Sequence, residues 1–268
     1  MRARRAMLGV AVLLAGCAIS TQQEVQLGQD YSAQIAQELP LIHNAQVEQY
    51  ITQLGNRLAR ATDTRGLTWH FTVVNSDEVN AFAVPGGWVY VNRGLIERAA
   101  DMSQVAGVLG HEIGHVTLRH SVEQMQQAQG ANTGVTVLCT LTNVCNSGTG
   151  QAAINVGGSA LFAKFSRTDE AEADAEAVKT TIKAGITPKG IPAMFRILLS
   201  ERQRNPGALE GFFLTHPLAE DRITETESLI AAYPASSLRG LETDDAAFRA
   251  FRQRLKALPP APPPKKAS

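Results

Sequence analysis

Apolar residues along this chain recur mostly at helical spacing, with one short region of alternation near residue 70. Between 22 and 39, Val25, Tyr31, Ile35 and Leu39 stand among polar neighbours and Pro40 ends the run, which predicts a first helix. Val47, Tyr50, Ile51, Leu54 and Leu58 repeat the pattern over 45–61. Residues 67–74 alternate and are rich in aromatic and β-branched side chains, so a strand is expected there. Two short apolar runs flank Pro85-Gly86-Gly87 between 79 and 91, the pattern of a β-hairpin. Gly94 to Ala100 opens another short helix, and the chain beyond residue 166 reads as four more: 166–183, from Pro188 to about 204, 217–233 and 245–258. Ser166 with Asp169 three residues on is an N-cap signal, and Gly185 sits just past the end of that helix.

The longest helical signal runs from Val105 to about Gln127. Val105, Val108, Leu109, Ile113 and Val116 form one stripe, and Gly107, Gly110 and Gly114 fall on the opposite side. Each glycine costs a helix about 1 kcal/mol relative to alanine, so three on one face imply that another backbone packs close there. The helix is then buried on both sides, and a polar group within it needs a reason. Helices, a few strands, then mostly helices make an α+β fold, with a small antiparallel sheet beside a mainly helical body.

Composition narrows the class. The chain has 268 residues, 44% hydrophobic and 19% charged, which suits one large domain with a sizeable core. Its net charge is zero, so no nucleic-acid partner is expected. The N-terminus differs from the rest: Arg2, Arg4 and Arg5 precede a short apolar run from Leu8 to Ala15, too short to span a bilayer comfortably. The run ends in Leu14-Ala15-Gly16-Cys17, which resembles the lipobox of bacterial lipoproteins. That resemblance implies cleavage before Cys17, a lipid on Cys17 and, with Ala18 next, sorting to the outer membrane. Removing 1–16 leaves a net charge of about −3. Cys139 and Cys145 then remain inside a Gly-rich stretch over 130–158 that reads as a long surface loop. In an exported protein an even pair close in sequence reads as a disulfide, the alternative being two buried free thiols. The tail over 259–268 is rich in proline and lysine, and disorder is expected there.

The chemistry centres on His111-Glu112-Ile113-Gly114-His115. Positions four apart on a helix share a side, so two imidazoles one turn apart can share one metal ion, and Glu112 between them can reach a water on that ion. Imidazole and carboxylate ligands in an open three-ligand site suit zinc. Glu170 and Asp174, one turn apart on a later helix, are candidates for the third ligand and its supporting partner. The same acidic stretch also reads as a solvated first turn favoured by the helix dipole, with Glu172 and Glu176 on its outer face. His120 falls about 180° around a continuous helix from His111 and is not expected to be a ligand. His216 ahead of Pro217 could cap a helix locally.

Four motifs in order resemble one family. They are Asn80-Ala81-Phe82-Ala83-Val84-Pro85-Gly86-Gly87, the His111 to His115 motif running on to His120, Ser166-Arg167-Thr168-Asp169-Glu170 on to Asp174, and His216-Pro217 with Arg222. They resemble the HtpX, Oma and BepA-type gluzincin zinc metallopeptidases, and in particular the short lipoprotein members. The resemblance implies a zincin-type fold with one zinc ion held by His111, His115 and Glu170, and Asp174 supporting a ligand imidazole. It implies Glu112 as catalytic base, with His216 and Arg222 close to the metal, His216 either occupying the open position or aiding the oxyanion. It also implies that the strand at Asn80, Ala81, Phe82 and Ala83 offers its edge to an extended substrate. The expected organisation is a signal peptide over 1–16, a single metallopeptidase domain over 17–258 and a tail over 259–268.

The resulting expectation is a zinc metalloendopeptidase, tethered in the periplasm to the inner leaflet of the outer membrane, that cleaves misfolded or unassembled envelope proteins. The competing expectation is a zinc-stabilised assembly factor for outer-membrane proteins, working beside that machinery, with latent peptidase activity.

Overall fold

The computed structural model describes residues 19–128, 164–205, 212, 215–217 and 220–262. The expected signal segment 1–16, Cys17, the Gly-rich stretch with Cys139 and Cys145, and the end of the tail lie outside the described residues. Helix α1 (Thr21–Glu38) starts at a capping box, in which Ser20 and Gln23 bond each other's backbone. Asn44 caps α2 (Ala45–Thr62). Strands β1 (His70–Val74), β2 (Ala81–Val84) and β3 (Trp88–Asn92) follow, then the short α3 (Arg93–Arg98). Asp101 caps α4 (Met102–Thr117), and a further helix, α5, covers 120–128. After the undescribed stretch come α6 (Arg167–Lys183), α7 (Gly190–Arg204), α8 (Glu220–Ala231) and α9 (Ala246–Lys256).

The sheet is mixed rather than antiparallel. β2 and β3 form the expected hairpin about Gly86 and Gly87, both at positive φ, but β1 lies on the other side of β3 and runs parallel to it, giving the order β1-β3-β2. Alternation in a sequence reports which face of a strand is buried, not which strand lies beside it. β3 takes the centre, where Val89, Tyr90 and Val91 are buried. Among the described residues no strand pairs with the outer edge of β2, and α4 runs alongside that strand.

Every residue of α4 from Met102 to Val116 is buried. Its glycines meet neighbouring backbone as their spacing implied: a Cβ on Gly114 would lie 3.2 Å from the carbonyl oxygen of Ala173 in α6, and one on Gly107 would lie 2.8 Å from the side chain of Ile191 in α7. The helix is therefore clasped by α6 and α7 on the glycine side, while its apolar stripe joins α2 and the sheet in the main core. A second, smaller core on the far face of the sheet packs Ile35 of α1 against Val74, Val84, Tyr90 and Met125.

The single long helix expected from 105 to 127 does not persist. α4 ends at Thr117, and Arg119 adopts a left-handed backbone with φ of 66° before α5 begins. Arg119 is held there by Glu24 of α1, which is fully buried and also pairs with Arg65. Arg65 in turn donates to the carbonyl of Val116, and Glu24 accepts from the Gly86 amide in the hairpin turn. One buried carboxylate thus ties α1, the hairpin and the end of α4 together.

Candidate metal centre

The centre is built where α4, α6 and the 215–217 segment converge. His111 and His115 stand one turn apart on α4, and their Nε2 atoms are 3.0 Å from each other. Glu170, in the first turn of α6, faces both: its Oε2 is 3.5 Å from His111 Nε2 and its Oε1 is 3.5 Å from His115 Nε2. The Ser166–Asp169 capping box sets the start of α6 and hence the position of Glu170. His216 joins them, its Nδ1 2.9 Å from Glu170 Oε1 and 3.4 Å from His111 Nε2. One donor atom from each of these four buried residues fits within a group 4.8 Å across.

This arrangement fits a cation. The separations cluster around the edge of a tetrahedron of ligands, about 3.3 Å for donor atoms about 2.0–2.1 Å from zinc. Two buried imidazole nitrogens turned toward each other at 3.0 Å make little sense as a self-contained polar cluster. Three imidazoles and one carboxylate are a donor set that zinc accepts.

Glu112 is 1% exposed, and its Oε1 has no hydrogen-bond partner. The nearest cation-forming group is His216 Nε2 at 3.6 Å. Burial pushes the Glu112 carboxyl above its usual range, only partly offset by His216 and His111. Burial also drives His115 well below its usual value. His111 goes the other way: burial disfavours its proton, but the Glu170 and Asp174 carboxylates outweigh that and push it up to about 10. Glu170 and Asp174 are held below the usual carboxylate range despite their burial, chiefly by the facing His111.

Asp174, one turn after Glu170, puts Oδ1 2.8 Å from His111 Nδ1. Arg222 of α8 grips the same carboxylate with two bonds of 2.8 and 2.7 Å, and its Nη1 lies 2.5 Å from Glu170 Oε2. Arg222 therefore reaches the centre through two carboxylates, with Phe195 stacked under its guanidinium at 4.6 Å. Beside His111 and Glu112 lies a small apolar hollow lined by Gly107, Val108, Met194, Phe195 and Phe212.

The structure thus brings His111, Glu112, His115, Glu170, Asp174, His216 and Arg222 into one buried cluster. Asn80, Ala81, Phe82 and Ala83 lie apart from it, on and just before the edge strand beside α4. The Asn80 side chain leaves its Oδ1 buried without a partner, and Phe82 stacks on Tyr90 at 4.9 Å. Cys17, Cys139 and Cys145 are outside the described residues. Sequence reasoning missed Phe165, which stacks on the His115 ring at 3.9 Å, and it set His120 aside. It also read Glu176 as solvated, whereas Glu176 bonds Thr62 and Lys179 and is largely covered.

A family profile described as Peptidase family M48 matches residues 45–230. The Beta-barrel assembly-enhancing protease of Escherichia coli (strain K12) is 33% identical over 220 residues, 80% of this chain and 45% of that protein. Metalloprotease YcaL of the same organism is 30% identical over 192 residues, 70% of this chain and 74% of that protein. Metalloendopeptidase OMA1, mitochondrial, of Bos taurus is 29% identical over 171 residues, 61% of this chain and 33% of that protein. The chain spans about half the length of the beta-barrel assembly-enhancing proteases it matches.

Proposed function

Because the chain belongs to peptidase family M48, we propose that it is a zinc-dependent metalloendopeptidase in which His111, His115 and Glu170 hold the metal and Glu112 handles the proton. The observation that carries this reading is the buried His111, His115, Glu170 and His216 group with the unpartnered Glu112 oxygen beside it. Zinc, when bound, supplies a Lewis acid that activates water and polarises the peptide carbonyl. Glu112 accepts a proton from the attacking water and delivers it to the leaving nitrogen. Its raised proton affinity, a consequence of burial, suits a group that must both take and give a proton. Asp174 orients His111, and Arg222 holds Asp174 and Glu170 in place. An extended substrate adds to the outer edge of β2 at Asn80 to Ala83, a mode that reads backbone more than side chain.

The substrates in this reading are unfolded or unassembled proteins of the bacterial envelope. The name of the Escherichia coli relative, which links it to β-barrel assembly, supports that placement, as does the N-terminal pattern ending at Cys17. We infer a signal peptide over 1–16, a domain over 17–258 tethered by lipid on Cys17 to the periplasmic face of the outer membrane, and a Cys139–Cys145 disulfide. No helix of the described residues is long and apolar enough to cross a membrane. The test is casein cleavage by the purified domain beside Glu112→Gln, with zinc content measured on both. Cleavage by the wild type alone, with equal zinc, is the expected result. Cleavage by both would remove Glu112 from the mechanism.

The position of His216 favours a second reading, a latent peptidase that serves mainly in assembly. Its Nδ1 lies within the ligand group, where it can occupy the place of substrate and water. His216→Ala should then raise casein cleavage with zinc retained, and unchanged or lower cleavage would discard the plug.

A further inference from the structure

His111 and His115 each turn Nε2 toward the centre and Nδ1 away from it. On His111 the outer nitrogen meets Asp174. On His115 it meets His120, Nδ1 to Nδ1 at 2.8 Å, and the far nitrogen of His120 lies 3.2 Å from Glu172 Oε2. His120 is 3% exposed, whereas the Glu172 side chain is 56% exposed. On a continuous helix the side chain five residues after His115 would point about 140° away from it. The left-handed turn at Arg119 folds the chain back and brings His120 alongside.

Two Nδ1 atoms at 2.8 Å form a hydrogen bond only if one carries a hydrogen and the other does not. Glu172 settles which: a carboxylate only accepts, so His120 carries its hydrogen on Nε2 and leaves Nδ1 as an acceptor. His115 must then donate from Nδ1, and its Nε2 is left with the lone pair that faces Glu170 and His111. The order of hydrogens along Glu172, His120 and His115 therefore presents His115 in the tautomer a metal requires. Phe165, stacked on His115 and edge-on to His120 at 6.2 Å, keeps the two rings in register.

We propose that His120 is a positioning residue for the metal centre, which fixes the tautomer and ring angle of His115 as Asp174 does for His111. This rests on the zinc reading above. The two supports differ in kind: Asp174 is a buried carboxylate cross-tied by Arg222, while His120 is a ring relaying to a carboxylate at the surface.

The experiment is a chelator competition that measures the Zn2+ dissociation constant of the wild type, His120→Ala, His120→Asn and Glu172→Ala, with urea unfolding of each zinc-free protein as a control. Loss of an outer partner typically weakens metal binding about 10–100-fold, and that loss is expected for His120→Ala. His120→Asn places an amide oxygen near the position of Nδ1 and should restore affinity to within about threefold of wild type, even if its unfolding curve matches that of His120→Ala. Equal zinc affinity in His120→Ala and wild type overturns the proposal, as does His120→Asn binding no better than His120→Ala. Should His120→Ala fail to fold, Glu172→Ala decides, since its side chain is largely in solvent: weakening by about threefold or more upholds the relay, and unchanged affinity overturns it. Wild-type protein that took up no zinc would instead overturn the zinc reading itself and this inference with it.

Discussion

Asp174→Asn tests the centre through a residue that need not touch the metal. Asp174 Oδ1 faces both His111 Nδ1 at 2.8 Å and Arg222 Nη2 at 2.7 Å, while Oδ2 accepts from Arg222 Nε at 2.8 Å. An asparagine keeps the shape but supplies one acceptor atom in place of two. If its oxygen faces His111, its NH2 meets the Arg222 Nε–H; if it is flipped, the NH2 meets both His111 and Nη2. Either orientation buries a donor against a donor. Removing one partner of a buried pair costs about 3–5 kcal/mol. Arg222 retains Glu170 and the Pro217 carbonyl, so about 2–3 kcal/mol is the expected loss for the zinc-free protein. Loss of the His111 support should weaken zinc about 10–100-fold, or about 1.4–2.8 kcal/mol. The zinc-loaded protein then loses both, about 3–6 kcal/mol. Urea unfolding with chelator and with saturating zinc, beside a competition titration, reads the two contributions separately. An Asp174→Asn protein that matched wild type in zinc affinity within twofold, with coincident unfolding curves, would refute the reasoning from the Asp174 contacts.

The glycines of α4 should not behave alike. Gly107→Ala places a Cβ 2.8 Å from Ile191 Cγ1 and 3.2 Å from its Cα, so a loss of about 1–3 kcal/mol is expected in urea unfolding. Gly110→Ala meets nothing closer than 3.5 Å and gains helix propensity, so it should be neutral or stabilising by up to about 1 kcal/mol; the opposite order would show that the clasp by α6 and α7 is misread. Glu24→Ala leaves Arg65 and Arg119 facing each other without their carboxylate. Because both arginines keep some contact with solvent, about 2–3 kcal/mol is expected, and a change under about 0.5 kcal/mol would make Glu24 a spectator.

The legible part of this site is the part carried by local geometry. His111, Glu112 and His115 could be placed from spacing alone, because a helix sets residues four apart on one side and few other residue types bind a metal there. The clasp on α4 was legible for the same reason, since three glycines on one face need no knowledge of the partner to imply a close one. Glu170 and Asp174 were less so. Spacing left them level with an ordinary acidic first turn, and only the motif they share with known peptidases separated the two. The mixed sheet was out of reach because alternation says nothing about neighbours.

His120 shows why the remainder stayed hidden. The wheel that set it aside assumes that the helix continues, and nothing around Leu118 and Arg119 resembles the glycine or proline that normally announces a stop. The stop coincides instead with contacts from Arg119 to a distant helix. Glu24 and the Ile19 carbonyl bind the Arg119 side chain, and these contacts offset a backbone conformation that costs a non-glycine residue about 1 kcal/mol or more. In the sequence Glu24 is one polar residue among many on an amphipathic helix. Its burial depends on Arg65, Arg119 and the Gly86 amide arriving together from three other segments. The same carboxylate therefore links α1, the hairpin turn and the left-handed turn that brings His120 onto His115. A substitution at Glu24, far along the chain from any ligand, should for that reason disturb the His115 side of the centre more than the His111 side, which Asp174 and Arg222 hold independently.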